Sequence, residues 1–91
     1  MYTLVWSPRF TRSAERFAKQ HPELRAKLAA VLRDLEQNPF QPRLKLHNLQ
    51  GKLAGMQAVS QTYDYRITLT VIVAEKEIIL LDVGTHDEVY Q

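Results

Sequence analysis

The stretch Ile78-Ile79-Leu80-Leu81-Asp82-Val83-Gly84 decides how the chain folds. Its aliphatic side chains follow one another without the polar alternation of a half-exposed strand, and such a run predicts a strand that is covered on both faces. We expect the strand to end at Gly84, because a residue without a side chain lets the backbone turn sharply. The buried run therefore stops where a polar segment begins.

The segment after Gly84 is rich in side chains that carry acid–base chemistry. It holds His86, Asp87, Glu88 and Tyr90, and His86 lies four residues before Tyr90. In a helical turn or a tight coil, this spacing places both side chains on one face. Imidazole is suited to proton transfer near neutral pH. The simpler interpretation is a surface histidine near the chain end, and from this segment alone it is the preferred one.

Strand patterns continue upstream of the aliphatic run. In residues 65–73, apolar side chains alternate with Arg66, Thr68 and Thr70, which predicts the longest strand. Residues 74–77 are its hairpin connection to the last strand. Residues 56–60 are a further candidate strand, and residues 62–64 are the turn that follows it.

The beginning of the chain predicts a short strand that leads into a helix. Tyr2, Leu4 and Trp6 alternate with their neighbours, so we expect these three side chains to point inward. Ser7 can accept a hydrogen bond from the first helical turn, and a proline at the first helical position lacks only a donor that has no partner there. A helix is therefore predicted to begin at Ser7-Pro8.

Two apolar stripes with a helical period predict a helical hairpin. They consist of Phe10, Ala14, Phe17 and Ala18, and of Leu24, Leu28, Val31, Leu32 and Leu35. Pro22 cannot lie inside a helix, so the first helix should end near Gln20 and the second should begin at residues 21–23. The element order is β-α-α-β-β-β. We predict an α+β fold in which an antiparallel sheet carries the helical hairpin on one face.

Composition limits the kind of protein that this chain can be. It has 91 residues, of which 45% are hydrophobic, and no cysteine. We expect one domain over residues 1–91, without disulfides, in the cytoplasm. No segment predicts a membrane span or a signal sequence. No residue spacing predicts a metal site, a phosphate-binding loop or another cofactor site.

The charges are distributed unevenly along the chain. Residues 8–52 hold ten Lys or Arg and four acidic residues, whereas residues 53–91 hold two and six. No acidic residue lies between Glu36 and Asp64, an interval that contains Arg43, Lys45, His47 and Lys52. Such an interval suits a surface that faces a polyanion, although an ordinary solvated basic face is an equal alternative.

Residues 43–55 predict an ordered loop that presents this basic chemistry. Leucines at positions 44, 46 and 49 can hold the loop against the body of the protein. Alternate residues of an extended chain point the same way, so we expect Arg43, Lys45 and His47 to project together.

The candidates for chemistry are His47, Asp64, Arg66, His86 and Tyr90, with Lys45 and Lys52 nearby in sequence. Arg66 is unusual because it interrupts an apolar strand. Its guanidinium can bind a phosphate, or its stem can simply pack on the sheet while the charged end reaches water. His47 can likewise be a loop histidine without a role.

The element order and three segments together resemble the RelE/ParE toxin superfamily of bacterial type II toxin–antitoxin systems. The segments are Leu46-His47-Asn48-Leu49-Gln50-Gly51-Lys52-Leu53-Ala54-Gly55, Tyr63-Asp64-Tyr65-Arg66-Ile67 and Gly84-Thr85-His86-Asp87-Glu88-Val89-Tyr90. The resemblance covers essentially the whole chain, and the last segment is most similar to the RelE and YafQ ribonuclease branches. It implies a ribosome-dependent endonuclease that cuts mRNA in the ribosomal A site and that a cognate antitoxin protein holds inactive.

The resemblance also implies roles for individual residues. By position, His86 is similar to the terminal catalytic histidine of the YafQ branch, and Tyr90 to its terminal aromatic residue. His47 resembles the histidine after the basic loop, Asp64 the aspartate before the long strand, and Arg66 the strand arginine of RelE-type enzymes. Ser60 stands where the YafQ pattern has another histidine, which leaves the division of acid and base roles open.

The preferred hypothesis is RNA cleavage without a metal, by attack of a ribose 2′-hydroxyl on the adjacent phosphate. His86 and His47 would carry protons with help from Asp64, Arg66 would stabilise the phosphate, and Arg43, Lys45 and Lys52 would hold the RNA backbone. Tyr90 would stack on a base. One alternative is a ParE-like toxin that inhibits DNA gyrase by binding. Another is a non-catalytic homologue that only binds antitoxin in a hetero-oligomer.

Overall fold

Two helices and five strands follow one another in the computed structural model, which describes residues 1–60 and 65–85. They are β1 (Thr3–Trp6), α1 (Pro8–Gln20), α2 (Arg25–Gln37), β2 (His47–Asn48), β3 (Gln57–Ser60), β4 (Tyr65–Ile72) and β5 (Glu77–Thr85). The predicted α+β class is confirmed. Neither helix is long and apolar enough to cross a membrane, and the same holds for every helix among the described residues.

The strands form one sheet in the order β1-β5-β4-β3-β2. The pairs β3–β4 and β4–β5 are antiparallel, as predicted. The short strand β2, which was not predicted, is antiparallel to β3, and β1 lies parallel to β5. A helical hairpin, not a tight turn, follows β1, so no short connection forces β1 to run antiparallel to its neighbour. The sheet is therefore mixed, with β1 and β2 at its edges.

Strand β5 is covered more completely on one face than on the other. Ile78, Leu80 and Val83 are buried, whereas Ile79 and Leu81 are half-buried, so the predicted cover on both faces is complete on one face only. The register between β4 and β5 shifts between Thr68 and Leu69. An extra residue in one strand interrupts the alternation of sides, and Asp82 and Val83 are accordingly both buried.

The helices pack on one face of the sheet and form the core with it. The cluster contains Phe10, Phe17, Leu28, Val31 and Leu35 from the helices and Ile67, Leu69, Ile78, Leu80 and Val83 from the strands. The predicted start of α1 is confirmed, because Ser7 Oγ accepts a hydrogen bond from the Phe10 amide at 3.1 Å. Trp6 is 47% exposed, which corrects its predicted inward position; its ring meets the edge of Phe10 at 4.8 Å between centroids.

Alternation along β4 sets apart a second, polar set of side chains. Ile67 and Leu69 belong to the core, so Arg66, Thr68 and Thr70 lie on the sheet face away from the helices. We call this the open face because the helices lie on the other face; Thr68 in its middle is itself buried, and Arg66 and Thr70 are half-buried. The first residue of β4, Tyr65, pairs with Thr85, the last residue of β5. The start of one central strand and the end of the other therefore meet at one end of the sheet.

Candidate functional site

Arg66 lies at this end of the sheet, in β4 between β3 and β5. Its partner in β3 is Ser60, and its partner in β5 is Gly84, which has no side chain. Arg66 Nη1 donates a hydrogen bond to Ser60 Oγ at 3.2 Å. Within residues 1–60 and 65–85, no carboxylate lies within ion-pair distance of this guanidinium. Arg66 is thus a half-buried cation whose described partner is a neutral hydroxyl.

Such a cation has the features of an anion site. A guanidinium has five N–H donors in a fixed fork, and among the described residues one of them has a side-chain partner, Ser60. Partial burial lowers the local dielectric, so an uncompensated charge attracts an anion more strongly than it would in water. The fork matches two oxygens of a phosphate, which makes a phosphate group the ligand that fits best.

His47 lies in β2, a two-residue strand that was missed because two residues show no alternation. It pairs with Ala58, and Ala58, Ser60 and Arg66 share the open face through alternation and direct pairing. His47 Nδ1 lies 2.9 Å from the Lys45 carbonyl oxygen, which can only accept, so Nδ1 is the donor. Nε2 of the neutral ring then carries a free lone pair. His47 is exposed. It lies two strand spacings from Thr68, and Arg66 lies two residues farther along β4, so about 12 Å separate His47 from Arg66.

The basic loop is ordered by its leucines, but it is not extended. Leu44 is buried and Leu46 and Leu49 are half-buried, as predicted. Residues Pro42–Leu44 form a short helical turn, and Lys45 has the left-handed backbone angle φ of 53°. The prediction that alternate residues from Arg43 project together is therefore wrong.

The basic residues of this loop differ in their surroundings. Arg43 Nη2 donates to Asp34 Oδ1 of α2 at 2.8 Å, so a carboxylate compensates its charge. Lys45 and Lys52 are exposed, and Lys52 borders a shallow cleft of about 290 Å³ beside Leu49 and Leu53. Lys45 precedes β2, and Lys52 lies in the connection between β2 and β3.

The remaining predicted site residues, Asp64, His86 and Tyr90, lie outside the described residues. The residues that flank two of them are described. Tyr65 directly follows Asp64 and Thr85 directly precedes His86, and Tyr65 and Thr85 are paired. Arg66 and Gly84 form the next pair along the same two strands.

Tyr65 is held on the helical side of the sheet by His21, which sequence patterns did not single out. The Tyr65 hydroxyl lies 3.1 Å from His21 Nε2, and its ring meets the edge of Phe17 at 5.1 Å between centroids. His21 directly follows α1, so this contact joins the turn of the helical hairpin to the strand that carries Arg66. The only signal in the sequence was the position of His21 before Pro22, which marked the turn and not the contact.

Helix α1 carries a second cationic surface, which we call the α1 face. It consists of the exposed side chains Arg9, Arg12, Arg16 and Lys19. Arg9 Nη2 donates to the largely buried carboxylate of Asp82 at 3.0 Å. Open clefts of about 410 and 430 Å³ lie along this face. These four residues are three or four positions apart in the sequence, a spacing that places them on one side of a helix. The net charge of the region did not by itself indicate this surface.

Comparison with known proteins identifies the fold. No family model and no curated protein matches the sequence. Among solved structures, YafQ from Escherichia coli superimposes with a TM-score of 0.83 at 19% identity, with both chains covered completely. A metal-bound toxin from Helicobacter pylori gives 0.79 at 25% identity, over 97% of this chain and 98% of the other.

A third match is a complex. The YoeB–YefM complex from Staphylococcus aureus gives a TM-score of 0.72 at 17% identity, over 94% of this chain and 98% of the other. The agreement of these structures over nearly their whole length shows that the chain has the RelE/YafQ-type toxin fold.

Proposed function

We propose that this chain, with its RelE/YafQ-type toxin fold, is the toxin of a type II toxin–antitoxin system and acts as a ribosome-dependent mRNA endonuclease. The observation that carries the proposal is Arg66, a half-buried guanidinium on the open face that Ser60 holds and that no described carboxylate compensates. A cation of this kind suits the phosphate at which RNA is cut, because charge develops there in the transition state.

The reaction needs two proton carriers on opposite sides of that phosphate. A base takes the proton of the 2′-hydroxyl, and the O2′–phosphorus bond forms while the phosphorus–O5′ bond breaks. An acid then protonates the leaving O5′, which gives a 2′,3′-cyclic phosphate and a 5′-hydroxyl. Neither step consumes an oxidant or a second substrate.

We assign these roles to the two candidate histidines. His47 suits the base, since its Nδ1–H is donated to the Lys45 carbonyl and Nε2 is left to accept a proton. His86 then serves as the acid. Asp64 orients or assists them, and Arg66 stabilises the charge that grows on the phosphoryl oxygens. Tyr90 stacks on a base next to the cut.

Basic side chains around the sheet hold the rest of the RNA. Lys45 and Lys52 are exposed and can contact backbone phosphates, and Arg43 contributes although Asp34 offsets part of its charge. The α1 face adds further positive charge on the helical side of the molecule. Binding to ribosomes and mRNA should therefore weaken as salt concentration rises.

The proposed partner that silences the toxin is a cognate antitoxin protein in a hetero-oligomer. The matching YoeB structure is itself a complex with YefM. In this chain, exposed basic side chains in the loop and on α1 suit an acidic or amphipathic antitoxin segment.

Expression of this chain without its antitoxin should stop protein synthesis before DNA synthesis. The reason is that cleavage of mRNA on ribosomes removes templates for translation and leaves replication forks untouched. Pulse incorporation of labelled methionine and thymidine after induction measures both processes. Loss of thymidine incorporation first would replace the proposal with gyrase inhibition, and growth with no change in either would leave a non-catalytic homologue.

A further inference from the structure

Ser60 accepts a hydrogen bond from the Arg66 guanidinium, the one side-chain hydrogen bond that Arg66 makes among the described residues. It is the last residue of β3 and lies directly opposite Arg66 in the antiparallel pair of β3 and β4. Directly opposite residues have the closest side chains across a sheet. The hydrogen bond of 3.2 Å between Arg66 Nη1 and Ser60 Oγ is the result of that register.

Two other arginines form ion pairs with carboxylates. Arg9 is paired with Asp82 at 3.0 Å, and Arg43 with Asp34 at 2.8 Å. Both arginines are more exposed than Arg66, with 66% of each side chain accessible, and both have a carboxylate partner. Arg66 is half-buried and has a neutral hydroxyl partner instead. Within residues 1–60 and 65–85, no carboxylate compensates the charge of Arg66.

We propose that Ser60 is a positioning residue, which fixes the Arg66 guanidinium on the open face while leaving its positive charge available to a phosphate group. The inference rests on the proposed function for the source of that phosphate, the scissile group of RNA. A hydroxyl has one donor and two acceptor positions, so Ser60 accepts from Arg66 and can donate to the same phosphate. The two side chains together form the anion site.

Three substitutions of Ser60 distinguish the anchoring of the Arg66 guanidinium from the compensation of its charge. Ser60→Thr keeps the hydroxyl and suits a strand, so phosphate affinity should stay within about twofold of the wild type. Ser60→Ala removes the anchor and one donor, and affinity should fall about 3- to 10-fold. Ser60→Asp places a carboxylate at the guanidinium, and binding should fall by at least about tenfold because the charge is then compensated.

The measurement is a titration of the full-length chain with inorganic phosphate, followed by the NMR resonance of the Arg66 Nε–H group. Circular dichroism of each variant checks that the fold is retained. If Ser60→Asp disrupts the fold, the comparison of Ser60→Ala with Ser60→Thr still tests the anchor. Equal affinity in the wild type and Ser60→Ala, or undiminished binding in a folded Ser60→Asp variant, would overturn the proposal.

The same variants separate this inference from the proposed function. One outcome is that phosphate affinity falls among the Ser60 variants as expected while the wild type does not cut ribosome-bound mRNA. This outcome would support the role of Ser60 and reject the endonuclease. Cutting by the wild type together with full activity of a folded Ser60→Asp variant would reject the role of Ser60 alone.

Discussion

Arg66→Ala should lower the single-turnover rate of mRNA cleavage by about a hundredfold to a thousandfold, because it removes the cation that meets charge developing on the phosphate. We expect Arg66 to contact the phosphate in the ground state too, so affinity for RNA should fall as well. Growth arrest on expression should disappear. The measurement is single-turnover cleavage of mRNA on programmed ribosomes, over a series of toxin concentrations that separates binding from rate.

The matched control for this variant is Arg33→Ala, which removes one positive charge from an exposed position of α2. It should leave the cleavage rate within about threefold of the wild type, because an exposed charge far from the open face is screened by salt. Arg66→Lys keeps the charge but not the fork, and should recover only part of the rate. A folded Arg66→Ala variant with full activity would show that the phosphate binds elsewhere.

His86→Ala should reduce the rate by roughly two to four decades while ribosome affinity barely changes, because proton transfer to the leaving oxygen occurs only in the transition state. This pattern differs from that of Arg66→Ala, which should change affinity and rate together. Thermal unfolding of the variant should match the wild type, since the substitution follows the last residue of β5.

The result of that experiment also separates the enzyme from its alternatives. A pH–rate profile should lose one of its two limbs in His86→Ala, because one of the two proton carriers is gone. A folded variant that arrests growth as the wild type does, with DNA synthesis stopping first, would make His86 an ordinary surface residue and favour the gyrase-type mechanism.

Local periodicity predicted most of the secondary structure. The leucines of α2, the serine and proline at the start of α1 and the alternation in β4 are signals within a few neighbouring residues, and each predicted element formed. The parallel pairing of β1 with β5 depends on contacts between residues more than 70 positions apart, such as Thr3 with Glu77. No pattern within β1 indicates such a partner.

The candidate site shows the same division. Arg66 was recognisable because a cation interrupts an apolar strand. Its hydrogen bond to Ser60 depends on the register of β3 against β4, and the hydrogen bond of His47 depends on the left-handed conformation of Lys45. The contact of His21 with Tyr65 joins a helix end to a strand and leaves no sequence pattern. Asp64, His86 and Tyr90 lie outside the described residues, and their roles stay predictions.

The central claim is that this chain cuts mRNA by attack of a 2′-hydroxyl, and mapping the cuts on programmed ribosomes tests it most directly. Wild-type protein should cut within the codon in the A site and leave a 2′,3′-cyclic phosphate and a 5′-hydroxyl. An mRNA with a single 2′-deoxyribose at that position should stay intact there, because the attacking group is missing. Cleavage of the deoxy-substituted position, or no cleavage of the all-ribose mRNA by folded protein, would contradict the account.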